Sequence, residues 1–284
     1  MPSIEAKIPA TEEDRDMAFL SGNIYSKSLV MDTRIQLFLP QDGRRYIWKE
    51  RPKTLILLHG LSDDASVWGR RTAVERYAER YNLALVMPEV HRSFYNDMKN
   101  GLKYYHYIAE ELPELLENMF SVSLKREDLM IAGLSMGGYG ALRCAFDHPE
   151  RFGYCGAFSG AYNLKALIQE APGLVEILGD WPADIRGIFG ENPVVSESAE
   201  IPTILKKAKT ASDSGRPLPK LYMVCGTADF IYQHSVDIHN LLNELGIEHR
   251  FDEFPGAFHE WDVWDEAVER MLKLFLGEGR KDWG

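Results

Sequence analysis

The stretch Asp128-Leu-Met-Ile-Ala-Gly-Leu-Ser-Met-Gly-Gly-Tyr-Gly-Ala-Leu142 decides how the rest of the chain is read. It begins with a short apolar run, Leu129 to Ala132, of the kind a strand buried on both faces needs. It passes through Gly133-Leu-Ser-Met-Gly137 and continues with Tyr139, Ala141, Leu142, Ala145 and Phe146 at helical spacing. A strand, a serine inside Gly-x-Ser-x-Gly and then a helix is the context a nucleophile elbow requires. So sharp a turn puts the serine in strained backbone, and a Cβ at either flanking glycine would collide with a neighbouring strand or helix. Ser135 Oγ is expected above the sheet, at the positive end of the following helix. The competing reading is a glycine-rich turn with an idle serine.

Outward from the elbow, short apolar runs alternate with helical patterns. Strands are expected at Thr54 to His59, Leu83 to Met87, Tyr154 to Phe158, Lys220 to Cys225 and His249 to Phe254. Helices are expected at Ser66 to Tyr81, Tyr104 to Phe120, Ile231 to Leu245 and Glu260 to Leu276. Pro113 either kinks the second of these or divides it. Ile24 to Val30 and Arg34 to Leu39 alternate around Met31-Asp-Thr33, which suggests an antiparallel hairpin at a sheet edge. Residues 1 to about 20 read as a polar arm, Pro40 to Gly43 as a turn and Arg44 to Lys53 as a surface loop. Between Ser159 and Leu218 the pattern loosens into short helical pieces and reads as an insertion over the sheet. The whole implies an α/β architecture: a mainly parallel, mixed sheet covered by helices on both faces. Catalytic groups in such folds collect at the carboxyl ends of the strands.

Ser135 needs a base, and the base needs an orienting acid. His259 lies in Phe254-Pro-Gly-Ala-Phe-His-Glu-Trp261, just after the last expected strand. Of the other histidines, His148 reads as a surface residue and His106, His234 and His239 as helix residues. His249 begins a strand, His91 sits in a long loop, and His59 reads as an anchor for its own loop. Asp229 ends Val224-Cys-Gly-Thr-Ala-Asp229, after the penultimate strand, and gives the chain order Ser…Asp…His. As a helix N-cap it would serve a second, compatible role; Asp237 and Asp252 are placed less well. The oxyanion formed at the attacked carbonyl needs backbone donors. Met136 N–H is one, and Leu61 N–H, with Ser62 as the alternative, is the other.

With 284 residues and 45% of them hydrophobic, the chain has ample material for a core. A formal charge of −11 argues against nucleic acid or an anionic membrane as the main partner. Cys144, Cys155 and Cys225 stand singly in apolar contexts and suggest reduced, buried thiols. With no apolar h-region at the start and no run long enough to span a bilayer, the expected address is the cytoplasm.

Leu57-Leu-His-Gly-Leu-Ser62, Gly133-Leu-Ser-Met-Gly-Gly-Tyr-Gly140, Gly226-Thr-Ala-Asp229 and Pro255-Gly-Ala-Phe-His-Glu-Trp261 together resemble α/β-hydrolase esterases of the esterase D type. That group is similar in turn to tributyrin esterases, S-formylglutathione hydrolases, and carbohydrate esterase family 1 feruloyl and acetyl esterases. The resemblance spans about residues 20 to 276. It implies one α/β-hydrolase domain over 1–284, with Ser135 the nucleophile, Asp229 the acid, His259 the base, and Leu61 and Met136 the oxyanion donors. It implies a small lid at about 163–198, a small-molecule ester as partner and no cofactor or metal, and it leaves a homo-oligomer open. Trp181 in the lid, with Trp68 and Tyr95, either lines the pocket or packs under loops. Leu61 is followed by Ser-Asp-Asp, without the Cys-rich start that formylglutathione hydrolases tend to show. Short acyl or aryl esters, acetyl and hydroxycinnamoyl among them, are therefore favoured over a glutathione thioester, with acyl transfer or a non-catalytic binding protein as further readings.

Overall fold

The computed structural model describes residues 17–40 and 51–279. Of the arm expected to about residue 20, residues 1–16 lie outside the described residues, as do the turn after Pro40 and the loop through residue 50; residues 17–20 are strand and not arm. Two strands open the chain, β1 (Met17–Ser26) and β2 (Met31–Pro40), followed by β3 (Lys53–Leu58), α1 (Val67–Arg71), α2 (Val74–Arg80) and β4 (Leu83–Pro88). Next come α3 (Tyr104–His106), a π-turn (Tyr107–Glu111), α4 (Leu112–Met119), β5 (Leu129–Leu134), α5 (Met136–Asp147) and β6 (Tyr154–Phe158). The second half holds α6 (Leu164–Glu170), α7 (Val175–Leu178), α8 (Trp181–Phe189), α9 (Ile201–Asp213), β7 (Lys220–Gly226), α10 (Tyr232–Glu244), β8 (His249–Phe254) and α11 (Trp261–Leu276).

The eight strands form one sheet in the order β1-β2-β4-β3-β5-β6-β7-β8. β1 with β2 and β2 with β4 pair antiparallel; every later pair is parallel. The fold is that of an α/β-hydrolase. The period of two along β3 explains the two layers. Leu55 and Leu57 enter one core with Trp68, Tyr77, Val268 and Met271, from α1, α2 and α11. Ile56 and Leu58 enter the other with Leu112, Leu142, Ile204 and Leu242, from α4, α5, α9 and α10. Each such side chain, fully buried, is worth about 1.5–3 kcal/mol. Strand order reverses around β3, so the loops after β3 and β5 flank the crevice where ligands bind in sheets of this kind.

Four further local expectations change. The hairpin turns at Lys27–Val30, not at Met31–Thr33, because Glu111 accepts hydrogen bonds from Ser26 Oγ (2.7 Å), Lys27 N (2.6 Å) and Ser28 N (2.9 Å). The helix expected over 66–81 breaks at Thr72-Ala73. There Thr72 Oγ1 donates to Trp68 O, while Ala73 N–H is taken by Asp265 of α11. Pro113 leaves its helix unbroken. The preceding turn opens into π geometry, and Arg151 donates to the Ala109 carbonyl that Pro113, lacking an N–H, cannot reach. Finally, the loosened region contains α9, an ordinary crossover helix between the parallel strands β6 and β7.

Candidate active site

At the end of β5, Ser135 adopts φ 53° and ψ −117°, a conformation that costs a residue with a Cβ roughly 1–3 kcal/mol. Backbone bonds hold it there: Ser135 N–H donates to Phe158 O (2.9 Å), and Ser135 O accepts from Tyr139 N–H and Ala161 N–H (both 3.1 Å). A Cβ on Gly137 would overlap Leu58 O, and one on Gly133 would lie 2.5 Å from the Gly137 carbonyl carbon. The elbow glycines therefore let α5 rest directly on β3 and β5. Ser135 itself stays half-buried and reachable.

β8 lies three strand positions from β5, about 14 Å at a spacing of ~4.8 Å. The loop after β8 leans back over the end of β7, in the direction of β5. Ala228 N–H donates to Ala257 O (3.0 Å) and Gly256 N–H to Thr227 Oγ1 (2.8 Å), and only glycine at 226 leaves room for Ala257 O. His259 Nδ1 meets Asp229 Oδ2 at 2.8 Å, with the Asp229 side chain fully buried. Asp229 Oδ1 accepts from Ile231 N–H (3.0 Å), which closes a turn before α10; the N-cap itself is Ile231, with no side-chain cap bond, so the expected capping role of Asp229 is not found. Burial pushes the Asp229 carboxyl upward. The hydrogen bond and charge of His259, with help from Ile231 N–H and the Ser159 hydroxyl, outweigh burial and hold it below the usual carboxylate range. Nδ1 therefore carries the proton toward Asp229, leaving Nε2 free to act as a base. Among the described residues no hydrogen bond joins Ser135 to His259; such a bond is often long until substrate binds.

Across Ser135 lies the loop after β3. Asp63 N–H donates to Gly60 O (3.3 Å) and Gly60 N–H to Asp63 Oδ2 (3.2 Å), closing a turn with Leu61 at its tip. Met136 opens α5, where the first N–H groups have no acceptor within the helix. Behind the loop, His59 is buried, with Nδ1 2.8 Å from Gly60 O and Nε2 3.2 Å from both Val90 N and Glu89 Oε1. Burial alone would raise the Glu89 carboxyl. His59, through its hydrogen bond and charge, together with the N–H groups of His91 and Ala65, brings it down to about 2.

Of the two readings held for the aromatics, pocket lining or packing under loops, the structure shows them packed in the core. Trp68 and Tyr95 are fully buried. Trp68 Nε1 donates to Leu58 O (3.0 Å) and Tyr95 Oη to His59 O (2.9 Å), so both brace the backbone that leads to Leu61. Trp181 is 2% exposed and packs 5.6 Å from Phe94, ring to ring, beneath α8. Residues absent from the sequence reading take part as well. Ser159, buried at φ 43° beyond β6, accepts from Trp264 Nε1 (3.2 Å) behind the acid. Its position at a strand end, before Gly160, was the available signal; for Glu89 it was a lone carboxylate directly after β4.

Residues 163–198 dock on the loop after β4. Lys99 N–H donates to Ile188 O (2.9 Å), Asn100 N–H to Gly187 O (3.0 Å), and Arg92 to Asp184 (2.8 Å) and Leu178 O (2.6 Å). All three cysteines are free and buried, and burial pushes the Cys144 and Cys225 thiols up to about 12. Among the described residues no helix is long and apolar enough to cross a membrane, and no three His, Cys, Asp or Glu side chains are grouped to hold a metal.

Residues 26–275 match the model of the Esterase family. Over 267 residues the chain is 32% identical to an acetyl esterase of Caldicellulosiruptor saccharolyticus, covering 90% of this chain and 97% of that protein. Among solved structures it is similar to FphF, a fluorophosphonate-binding serine hydrolase of Staphylococcus aureus (TM-score 0.82, 32% identity, 92% of this chain and 99% of that one). It is likewise similar to an S-formylglutathione hydrolase, FrmB, from the same organism (TM-score 0.79, 32% identity, the same coverage). The chain belongs to the Esterase family and is a carboxylic ester hydrolase.

Proposed function

We propose that the chain is a serine carboxylesterase that hydrolyses short-chain acyl or aryl esters through an acyl-enzyme. The observation that carries this reading is the buried, ionised Asp229 on Nδ1 of His259, in a chain whose Ser135 has elbow geometry. Ser135 Oγ attacks the ester carbonyl as its proton passes to His259 Nε2. The tetrahedral oxyanion accepts hydrogen bonds from Met136 N–H and Leu61 N–H. Nε2–H then protonates the leaving alcohol as its C–O bond breaks. Water attacks the acyl-Ser135 ester, gives its proton to Nε2, and Ser135 recovers that proton as the carboxylic acid leaves. Asp229 holds the tautomer and stabilises the imidazolium without taking the proton. The acetyl esterase relative supports a short acyl group. We read the chain as one domain, with 163–198 a docked lid, and its buried thiols as fitting a cytoplasmic setting.

The similarity to FrmB supports a second reading, hydrolysis of a glutathione thioester by the same three residues. Steady-state rates with 4-nitrophenyl acetate, methyl ferulate and S-formylglutathione separate the two; a preference for the thioester would displace the ester reading. Ser135→Ala is expected to lower kcat on every substrate by at least about 10⁴-fold. Retained turnover in that variant would remove Ser135 from the mechanism.

A further inference from the structure

Two phenylalanines beside His259 stand in water: Phe230 is 74% exposed and Phe258 63%. Each adjoins a triad member in sequence. Phe230 follows Asp229 and sets its ring 4.8 Å from the imidazole, tilted by 57°. Phe258 precedes His259 in the loop pressed on the end of β7, and its N–H donates to Glu260 Oε1 (2.9 Å). Single exposed apolar residues are common on protein surfaces. One ring set against the imidazole and another on the residue before it, both in solvent in a chain that buries Trp68, Trp181 and Tyr95 almost completely, mark a surface awaiting a ligand.

Resting on the serine-esterase reading above, we propose that Phe230 and Phe258 bind the alcohol portion of the ester, selecting a neutral alcohol with a flat apolar face. His259 hands its proton to the leaving oxygen, so a ring set against the imidazole, as Phe230 is, meets the alcohol and not the acyl chain. The charges agree. From Gly226 to Trp264 the one Lys or Arg is Arg250, and it is bonded to Asp252 (2.8 and 3.1 Å). Glu260 and Asp262 follow the base directly. These two loops thus offer aromatic faces and negative charge, a poor reception for an anionic thiol and a good one for a phenol or the C–H face of a sugar ring.

Ethyl acetate, 2-naphthyl acetate and an acetylated methyl xyloside share one acetyl-enzyme, so differences among them in kcat/KM belong to acylation. Phe258→Ala, at an exposed position with no ring contact to His259, is the main variant; Phe230→Leu keeps apolar cover on the imidazole but removes the aromatic face. Each is expected to lower kcat/KM for the naphthyl or the xyloside ester about tenfold more than for ethyl acetate. A selective loss on the naphthyl ester identifies an aryl alcohol, and one on the xyloside a carbohydrate. Equal losses on all three esters, or unchanged ratios, would overturn the proposal while leaving the esterase reading intact. A wild type that cleaves none of them would overturn the esterase reading itself.

Discussion

The two flanks of Ser135 follow different rules. On the oxyanion flank the side chains behind the loop are buried: His59, Glu89, Trp68 and Tyr95 hold backbone from behind, with Asp63 half-buried in the turn itself. On the base flank one polar pair is buried, Asp229 and its neighbour Ser159, while Phe230 and Phe258 are left in solvent. The difference follows the chemistry. The oxyanion is the same for every ester, so its donors gain from being fixed in advance. The alcohol varies among esters, and the surface that meets it stays open.

Cutting the Asp229–His259 contact on the base flank is expected to have the largest effect. Asp229→Asn keeps the shape but favours the wrong tautomer of His259, and kcat should fall by on the order of 10³–10⁴ with the fold intact by circular dichroism. A loss below tenfold would mean that His259 is oriented by something other than its acid. On the opposite flank, Tyr95→Phe removes only the hydrogen bond to His59 O. It should lower kcat about tenfold with KM little changed, since a brace slackened behind the oxyanion loop acts mainly on the transition state. An effect confined to KM would place Tyr95 among the substrate contacts after all and erase the contrast.

The smallest effect concerns stability in acid. The folded Glu89 carboxyl is held at about 2, below its ordinary 4.5. Its stabilisation is therefore complete above about pH 4.5 and drains away as pH falls toward 2. Glu89→Gln should lower Tm by several degrees at neutral pH and flatten the decline of Tm between pH 4.5 and 2, as followed by calorimetry. Parallel Tm–pH curves for wild type and variant would show that Glu89 is not the carboxylate that fixes this flank.

Ser135 and its glycines, and the strand-end positions of Asp229 and His259, were legible because each motif is local: a few adjacent residues carry both the backbone geometry and the chemistry. The buried aromatics were not. In sequence Trp68, Tyr95 and Trp181 could either line the pocket or pack under loops, and Phe230 and Phe258 carried no signal; the structure buries the first three and exposes the last two. Whether a ring faces solvent depends on elements far away in the chain, and no periodicity records that. Ser159 and Glu89 escaped notice for the same reason, since their partners, Trp264 and His59, lie 105 and about 30 residues away.

By itself the sequence determined the alternation of strands and helices, the elbow, and the chain order of the proposed nucleophile, acid and base, because hydrophobic period, glycine sterics and side-chain chemistry act over a few residues. Tertiary structure alone decided where the first hairpin turns, through Glu111. It also decided that Pro113 is absorbed into a continuous helix with Arg151 on the freed carbonyl, and which side chains stand behind the site and which in front of it. Those outcomes depend on hydrogen bonds and packing between segments tens of residues apart, which exist only once the sheet has brought the strand ends together.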